Sequence, residues 1–254
     1  MTLLHTTTIG EGMPQVALVH GFTQTSNSMR PLANEFSSRY TVKLVDAPNH
    51  GGSSDISLDC SAGADALCAT VGDAVYVGYS MGARLSLHAA LQHPKQVQAL
   101  VLISGTAGIE EPELRVQRRT SDETLADHIE QVGTEAFITE WLSRPMFSNL
   151  RSSPADIRDR NRNTATSLAN SLRLAGTGAQ QSLWGSLDSL EMPVLLIAGE
   201  QDEAFCSNAA RMKEVIGDNA TVAIVKNSGH SVHLEQLTDC AGKIMNWLDQ
   251  QANR

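Results

Sequence analysis

Val75-Tyr76-Val77-Gly78-Tyr79-Ser80-Met81-Gly82-Ala83-Arg84 decides the fold. A short apolar run of β-branched and aromatic residues meets a Gly-x-Ser-x-Gly turn, and a helix-compatible run, 85–91, follows it. The glycines flanking Ser80 permit a cramped strand-to-helix turn whose tip projects the serine hydroxyl above a sheet. The same five letters also occur in ordinary loops, so the surroundings have to carry the assignment.

Outward from that turn, apolar runs bounded by turn residues recur in both directions. Residues 16–19 stop at His20-Gly21-Phe22, and residues 41–45 stop at Asp46-Ala47-Pro48-Asn49-His50-Gly51-Gly52-Ser53. Further runs cover 97–103, 194–198 and 221–225. The run 16–19 is apolar throughout and the others are largely so, as expected of strands covered on both faces. Between them come helical spacings. Met29, Leu32, Ala33 and Phe36 mark one within 28–40, with Pro31 tolerable in its first turn. A weaker stretch lies at 62–69, another at 208–216, and Leu237, Ala241, Ile244 and Leu248 mark a C-terminal helix. The threonine-rich segment 3–9 is expected as an edge strand. This alternation predicts an α/β fold with a mostly parallel central sheet flanked by helices. It breaks between 108 and 184, where no convincing strand is found. That segment is expected to be an inserted helical lid, with 1–107 and 185–254 forming the core.

The chain has 254 residues, ample for a large buried core. A net charge of −9 without any basic stretch excludes a nucleic-acid partner and means that an anionic ligand needs local positive charge. Cys60, Cys68, Cys206 and Cys240 form no C-x-x-C pair and no zinc-type cluster. They read as reduced thiols, and no metal or cofactor is expected. With no leader-like segment and no apolar run long enough to span a bilayer, the expected location is the cytoplasm, away from membranes. The segment 108–184 carries Arg115, Arg118, Arg119, Arg144, Arg151, Arg158, Arg160, Arg162 and Arg173 but no lysine. Lysine would serve solubility equally well, whereas arginine suits two-pronged recognition of carboxylates. A solvated helical face accounts for most of these arginines, but not comfortably for all.

A serine hydroxyl needs a neighbouring imidazole before it can act as nucleophile or base. Of eight histidines, His230 follows the last strand in Asn227-Ser228-Gly229-His230, at the sheet edge where catalytic groups collect. His233 is placed at the start of the last helix, and His5, His88, His93 and His128 read as surface or packing residues. The orienting carboxylate is expected between serine and histidine in chain order. Asp202 fits, just past the 194–198 strand; Glu200 and Glu203 are less well placed, and Asp188 lies at the wrong strand end. Backbone N–H groups of Met81 and Phe22 are expected to form an oxyanion hole. His20 and the Asp46-x-Pro-x-His50-Gly51 segment read as loop structure.

On these residues the chain resembles the α/β-hydrolase superfamily: His20-Gly21-Phe22, Asp46-x-Pro-x-His50-Gly51, Gly78-Tyr79-Ser80-Met81-Gly82, Gly199-Glu200-x-Asp202 and Gly229-His230. Asn49 stands where that superfamily usually has glycine, and asparagine tolerates the left-handed conformation. A narrower resemblance rests on Gly78 to Arg84, Arg118-Arg119-Thr120-Ser121-Asp122, Phe137-Ile138-Thr139-Glu140-Trp141, Arg144-Pro145-Met146-Phe147 and Arg162-Asn163. In this order they are similar to the 2-succinyl-6-hydroxy-2,4-cyclohexadiene-1-carboxylate synthases of menaquinone synthesis, lyases that eliminate pyruvate from a cyclohexene precursor. The resemblance implies that Tyr79, Arg84, Arg118, Trp141 and Arg162 line the pocket for a small polycarboxylate substrate. Leu142 stands where that family often has a second aromatic residue, and Arg119 competes with its neighbour Arg118. Independently, Arg84 lies one helical turn beyond Ser80, so the two project from nearly the same face. That suits an anion better than the apolar acyl group of a simple esterase. A serine hydrolase (carboxylesterase, lactonase or C–C bond hydrolase) uses the same triad and remains open, as does a receptor on the same fold.

Overall fold

Strands that are apolar on both sides are stable only inside a sheet covered on both faces, and the chain folds accordingly. The computed structural model describes residues 2–252. In chain order the elements are β1 (Thr6–Ile9), β2 (Gln15–Val19), α1 (Arg30–Phe36), β3 (Thr41–Val45), α2 (Cys60–Val71), β4 (Ala74–Tyr79), α3 (Met81–Gln92) and β5 (Val97–Ile103). Then come α4 (Pro112–Val132), α5 (Thr134–Leu142), α6 (Pro154–Arg160) and α7 (Ala165–Ala175). The core resumes with β6 (Val194–Gly199), α8 (Glu203–Ile216), β7 (Ala220–Val225), α9 (Val232–Glu235) and α10 (Leu237–Ala252).

The seven strands lie in the order β1-β3-β2-β4-β5-β6-β7. All pairings are parallel except that of the edge strand β1 with β3. Alternate residues of β4 enter opposite cores. Tyr76 packs with Leu67 of α2, Leu87 of α3 and Met212 of α8. Val75, Val77 and Tyr79 pack on the other face with Phe36 of α1 and Ile244 and Trp247 of α10. The sheet is thus an α/β sandwich of helices, strands and helices, and α4 to α7 are inserted between β5 and β6.

The insertion has its own small core of Ala126, Ile129, Phe137, Ile138, Leu168, Ala169 and Leu172. Arg173 of α7 ties it together outside, bonded to Glu123, Asp127 and Glu130 of α4. Two helix limits differ from the spacing-based expectation. The first helix ends at Phe36, and α8 begins at Glu203 rather than near 208 because the Asp202 carboxylate accepts the Phe205 N–H at 3.5 Å. No helix among the described residues is long and apolar enough to cross a membrane.

Candidate active site

β4 delivers its chain into α3 through Ser80, whose backbone is left-handed at φ 52°, ψ −107°. The turn is closed so tightly that a Cβ on Gly78 would collide with the Gly82 carbonyl, and one on Gly82 with the Val19 carbonyl. Backbone cannot yield there, so glycine is required on both sides of the serine. The hydroxyl consequently stands at the C-terminal edge of the sheet.

Two further strand ends supply its partners. His230, in the loop after β7, places Nε2 3.0 Å from Ser80 Oγ and Nδ1 2.8 Å from Asp202 Oδ2. With Nδ1–H donating to the carboxylate, Nε2 is left to accept the serine proton. The ring is 2% exposed and packs against Phe205 at 4.6 Å, Tyr79 at 5.5 Å and Phe147 at 6.4 Å between centroids. Its loop is pinned by Ser104, whose hydroxyl donates to the His230 carbonyl at 2.8 Å. Glu235 of α9 accepts the Ser231 N–H at 2.9 Å.

Met81 is the first residue of α3, so its N–H has no acceptor inside the helix. Phe22 sits in the turn after β2, and both residues face the same cavity. That turn is built from inside. Gln24 Oε1 accepts the Gly21 N–H at 2.9 Å, while His20 Nδ1 meets the Gly21 carbonyl at 2.8 Å and its Nε2 accepts the Ala47 N–H at 3.0 Å. Both ring nitrogens of His20 are thus occupied by backbone, and burial lowers its pKa. Asp46 accepts the N–H groups of Ser26 and Gly52 at 2.6 and 2.8 Å, and Asn49 takes the left-handed backbone, φ 63°.

The cavity, of about 750 Å³, lies between this sheet edge and the insertion. Ser80, Met81, His230 and Phe22 form one wall; Leu125, Trp141, Met146, Leu172 and Phe205 provide apolar surface. Arg84, Arg118 and Arg144 also line it. Among the described residues Asp122 is the one carboxylate in the lining, and it is buried, accepting from Arg118 Nε at 2.8 Å and the Gly178 N–H at 3.1 Å.

Arg84 is 7% exposed and bonds to Gln180 Oε1 at 2.9 Å and the Ala175 carbonyl at 2.8 Å, with Cys60 Sγ at 3.7 Å. No carboxylate among the described residues makes an ion pair with it. Burying a charge among neutral acceptors is costly, which makes this guanidinium a ready partner for an incoming anion. Of the adjacent pair Arg118 and Arg119, Arg118 lines the cavity.

Two residues singled out in the sequence stand elsewhere. Tyr79 points to the α1/α10 face, where its hydroxyl meets Ser231 Oγ at 2.8 Å and burial raises its pKa; it supports His230 from behind. Arg162 is exposed, pairs with Asp159 at 3.2 Å and lines a separate hollow of about 560 Å³ beside Arg158 and Asn27. The buried arginine of that turn is Arg160, two residues earlier.

Conversely, sequence reasoning passed over Arg144 and His128 as lining residues. Arg144 lies 4.3 Å over the Trp141 ring, and burial, then the charge of Arg118, lowers its pKa. The three-residue step from Trp141 to Arg144 was the available signal, since such pairs meet on a helix and just beyond it. His128 pairs with Glu140 at 2.6 Å. Ser104 and Phe205 gave no sequence signal.

A strained serine on a strand-to-helix elbow, hydrogen-bonded to a histidine and through it to an aspartate from two later strand ends, defines an α/β hydrolase. Residues 14–237 match the alpha/beta hydrolase fold family, and the chain belongs to it. Within the family it is homologous to 2-succinyl-6-hydroxy-2,4-cyclohexadiene-1-carboxylate synthases. It is 42% identical over 165 residues to a putative synthase of Bacillus subtilis, an alignment covering 63% of this chain and 60% of that protein's length. It is 27% identical over 230 residues to the synthase of Klebsiella pneumoniae, covering 87% and 88%. The structure of MenH from S. aureus superposes with a TM-score of 0.90 at 26% identity, over 98% and 99% of the two chains. A malate-bound esterase from Thermogutta terrifontis shares the fold, with a TM-score of 0.78 at 22% identity, over 97% and 93%.

Proposed function

We propose that the protein is a lyase that eliminates pyruvate from 2-succinyl-5-enolpyruvyl-6-hydroxy-3-cyclohexene-1-carboxylate, giving 2-succinyl-6-hydroxy-2,4-cyclohexadiene-1-carboxylate, the compound for which its homologues are named. The observation that carries this reading is Arg84. It is a buried guanidinium without a carboxylate partner among the described residues, one helical turn from Ser80 and lining the same cavity. Arg144 adds a second positive group, and Arg118 a third whose charge Asp122 partly offsets. A substrate with three carboxylates matches this charge, whereas the acyl group of a simple ester gains nothing from it.

The change of name from 3-cyclohexene to 2,4-cyclohexadiene dictates the chemistry. Ser80, its proton passed to His230 and the imidazolium steadied by Asp202, removes the ring proton next to the succinyl ketone. The electron pair enters the ring, the existing double bond shifts by one position, and the C–O bond to the enolpyruvyl group breaks. Charge that develops on the ketone oxygen is held by the N–H groups of Phe22 and Met81. The abstracted proton returns to the departing enolpyruvate as it becomes pyruvate. No acyl-enzyme forms, so the triad works as a general base.

The test is to incubate the purified protein with the enolpyruvyl precursor and follow pyruvate with lactate dehydrogenase. Absence of pyruvate, with rapid burst hydrolysis of p-nitrophenyl esters, would assign the same triad to a hydrolase instead.

A further inference from the structure

The insertion reaches back into the core at one place that the chemistry above does not use. Arg160, at the end of α6, is 2% exposed. Its Nη1 donates to Thr23 Oγ1 at 2.6 Å and its Nε to Asp156 Oδ2 at 3.1 Å. Asn163, 3% exposed, donates through Nδ2 to the Thr23 carbonyl at 2.9 Å and accepts the Gly51 N–H at 2.9 Å. Asp159 accepts from Asn27 Nδ2 at 2.8 Å and also from the Thr25 hydroxyl. One short stretch of the insertion therefore holds the side chain and the carbonyl of Thr23, and the residues after it.

Thr23 needs holding. Its backbone is left-handed, φ 67°, and a β-branched side chain is poorly tolerated there. Thr23 directly follows Phe22, so relaxation of its φ would swing the peptide that joins the two and, through the Phe22 backbone, displace the Phe22 N–H. Neither Arg160 nor Asn163 lines the cavity, so neither reaches the substrate.

We propose that Arg160 and Asn163 are positioning residues that clamp the oxyanion turn, so that the insertion sets where the Phe22 N–H points. This rests on reading that N–H as an oxyanion donor. A clamp of this kind links catalysis to the seating of the insertion, because the catalytic turn keeps its strained form only while α6 is docked.

The test uses Arg160→Met, Asn163→Ala, Thr23→Gly and the double variant Arg160→Met/Thr23→Gly in the full chain. Two quantities are read: hydrogen–deuterium exchange of residues 20–27, and kcat and KM for pyruvate release. Glycine adopts φ near +67° without a side-chain clash, so it removes the need for the clamp. Arg160→Met should speed exchange of the turn and lower kcat about ten- to a hundred-fold, as expected of a displaced catalytic donor, with KM within about two-fold. Asn163→Ala should do the same more mildly and keeps the question answerable if the buried methionine prevents folding. The double variant should recover most of the lost kcat and the slow exchange. Unchanged exchange and kcat in Arg160→Met would overturn the proposal, as would a loss that Thr23→Gly fails to rescue. Exchange needs no substrate. If the wild-type protein releases no pyruvate, the proposed reaction falls, while the exchange of the four variants still decides whether the clamp exists.

Discussion

Replacing Arg84 by methionine should make the protein more stable and a worse enzyme. Methionine follows the arginine stem without branching, so α3 keeps its packing. What disappears is a charge 7% exposed, together with hydrogen bonds to Gln180 Oε1 and the Ala175 carbonyl. Two acceptors left without that donor cost about 1 kcal/mol each. Against this stands release of an uncompensated buried charge, whose desolvation penalty is several kcal/mol. The balance favours the variant by about 1–3 kcal/mol, and in a chain of this size each 1 kcal/mol moves Tm by about 2–4 °C. The opposite holds for binding. A shielded, charge-assisted bond to a substrate carboxylate is worth about 2–3 kcal/mol, so KM should rise about 30- to 150-fold. The guanidinium holds its carboxylate equally before and during proton removal, so kcat should change little. Differential scanning calorimetry and steady-state pyruvate assays read the two effects separately. Succinate at low ionic strength should raise the Tm of wild type more than that of the variant. A fall in Tm with unchanged KM would refute the reasoning and make Arg84 a packing residue.

Other substitutions follow from the same geometry. Arg144→Leu should raise KM about ten-fold with kcat unchanged, because one partly shielded anion contact of about 1.4 kcal/mol is lost; equal KM values would place Arg144 outside the binding surface. Ser80→Gly should abolish turnover yet raise stability by about 1 kcal/mol, since glycine accepts φ 52° freely; urea denaturation checks this. His233 is buried with neither ring nitrogen partnered, and burial, then Arg160 and His230, lowers its pKa to about 3. The unfolded chain takes up that proton below about pH 6.5 and the folded chain does not, so its cost is absent above that pH and grows as pH falls towards 3. Stability should therefore drop by about 1.4 kcal/mol per pH unit on this account below pH 6, and His233→Leu should remove that slope in urea melts at pH 7, 6 and 5.

Much of the core was legible because its strands are largely apolar and end in turn residues. Residues 41–45 and 97–103 are the strands β3 and β5 to the residue. The elbow was legible for a steric reason, since backbone approaches at Gly78 and Gly82 exclude every other residue. Ser80, Asp202 and His230 were brought to attention by their place after strands, and the fold sets them within hydrogen-bond distance of one another. Side-chain direction was harder to read. All six residues of β4 are buried, so the period-two signal that would have turned Tyr79 away from the cavity is absent. In the insertion, α4 buries only Asp122, Ala126 and Ile129 of its 21 residues, too sparse a stripe to show which of its arginines and histidines look inward. Arg160 and Arg162 differ by two positions, about 200° around a helix, and nothing local says which one the core will accept. That is a tertiary decision made by Thr23 and Asn163.

The backbone itself marks where the fold gives up stability. Five described residues other than glycine have positive φ: Thr23, Asn49, Ser80, Ser104 and Asn227. Asparagine takes this conformation at little cost, so the two asparagines need no special support. The other three surround one cavity. Ser80 and Ser104 line it, and Thr23 adjoins Phe22, which does. Each is held by groups from distant chain segments: Ser80 by His230, Ser104 by the His230 carbonyl and Thr23 by Arg160 and Asn163. Strain of this kind persists only where the surroundings over-determine it. Arg84, a buried charge bonded to neutral acceptors, is a fourth departure lining the same cavity. Packing alone would select against all four, and their convergence on a single cavity is what chemistry at that cavity requires.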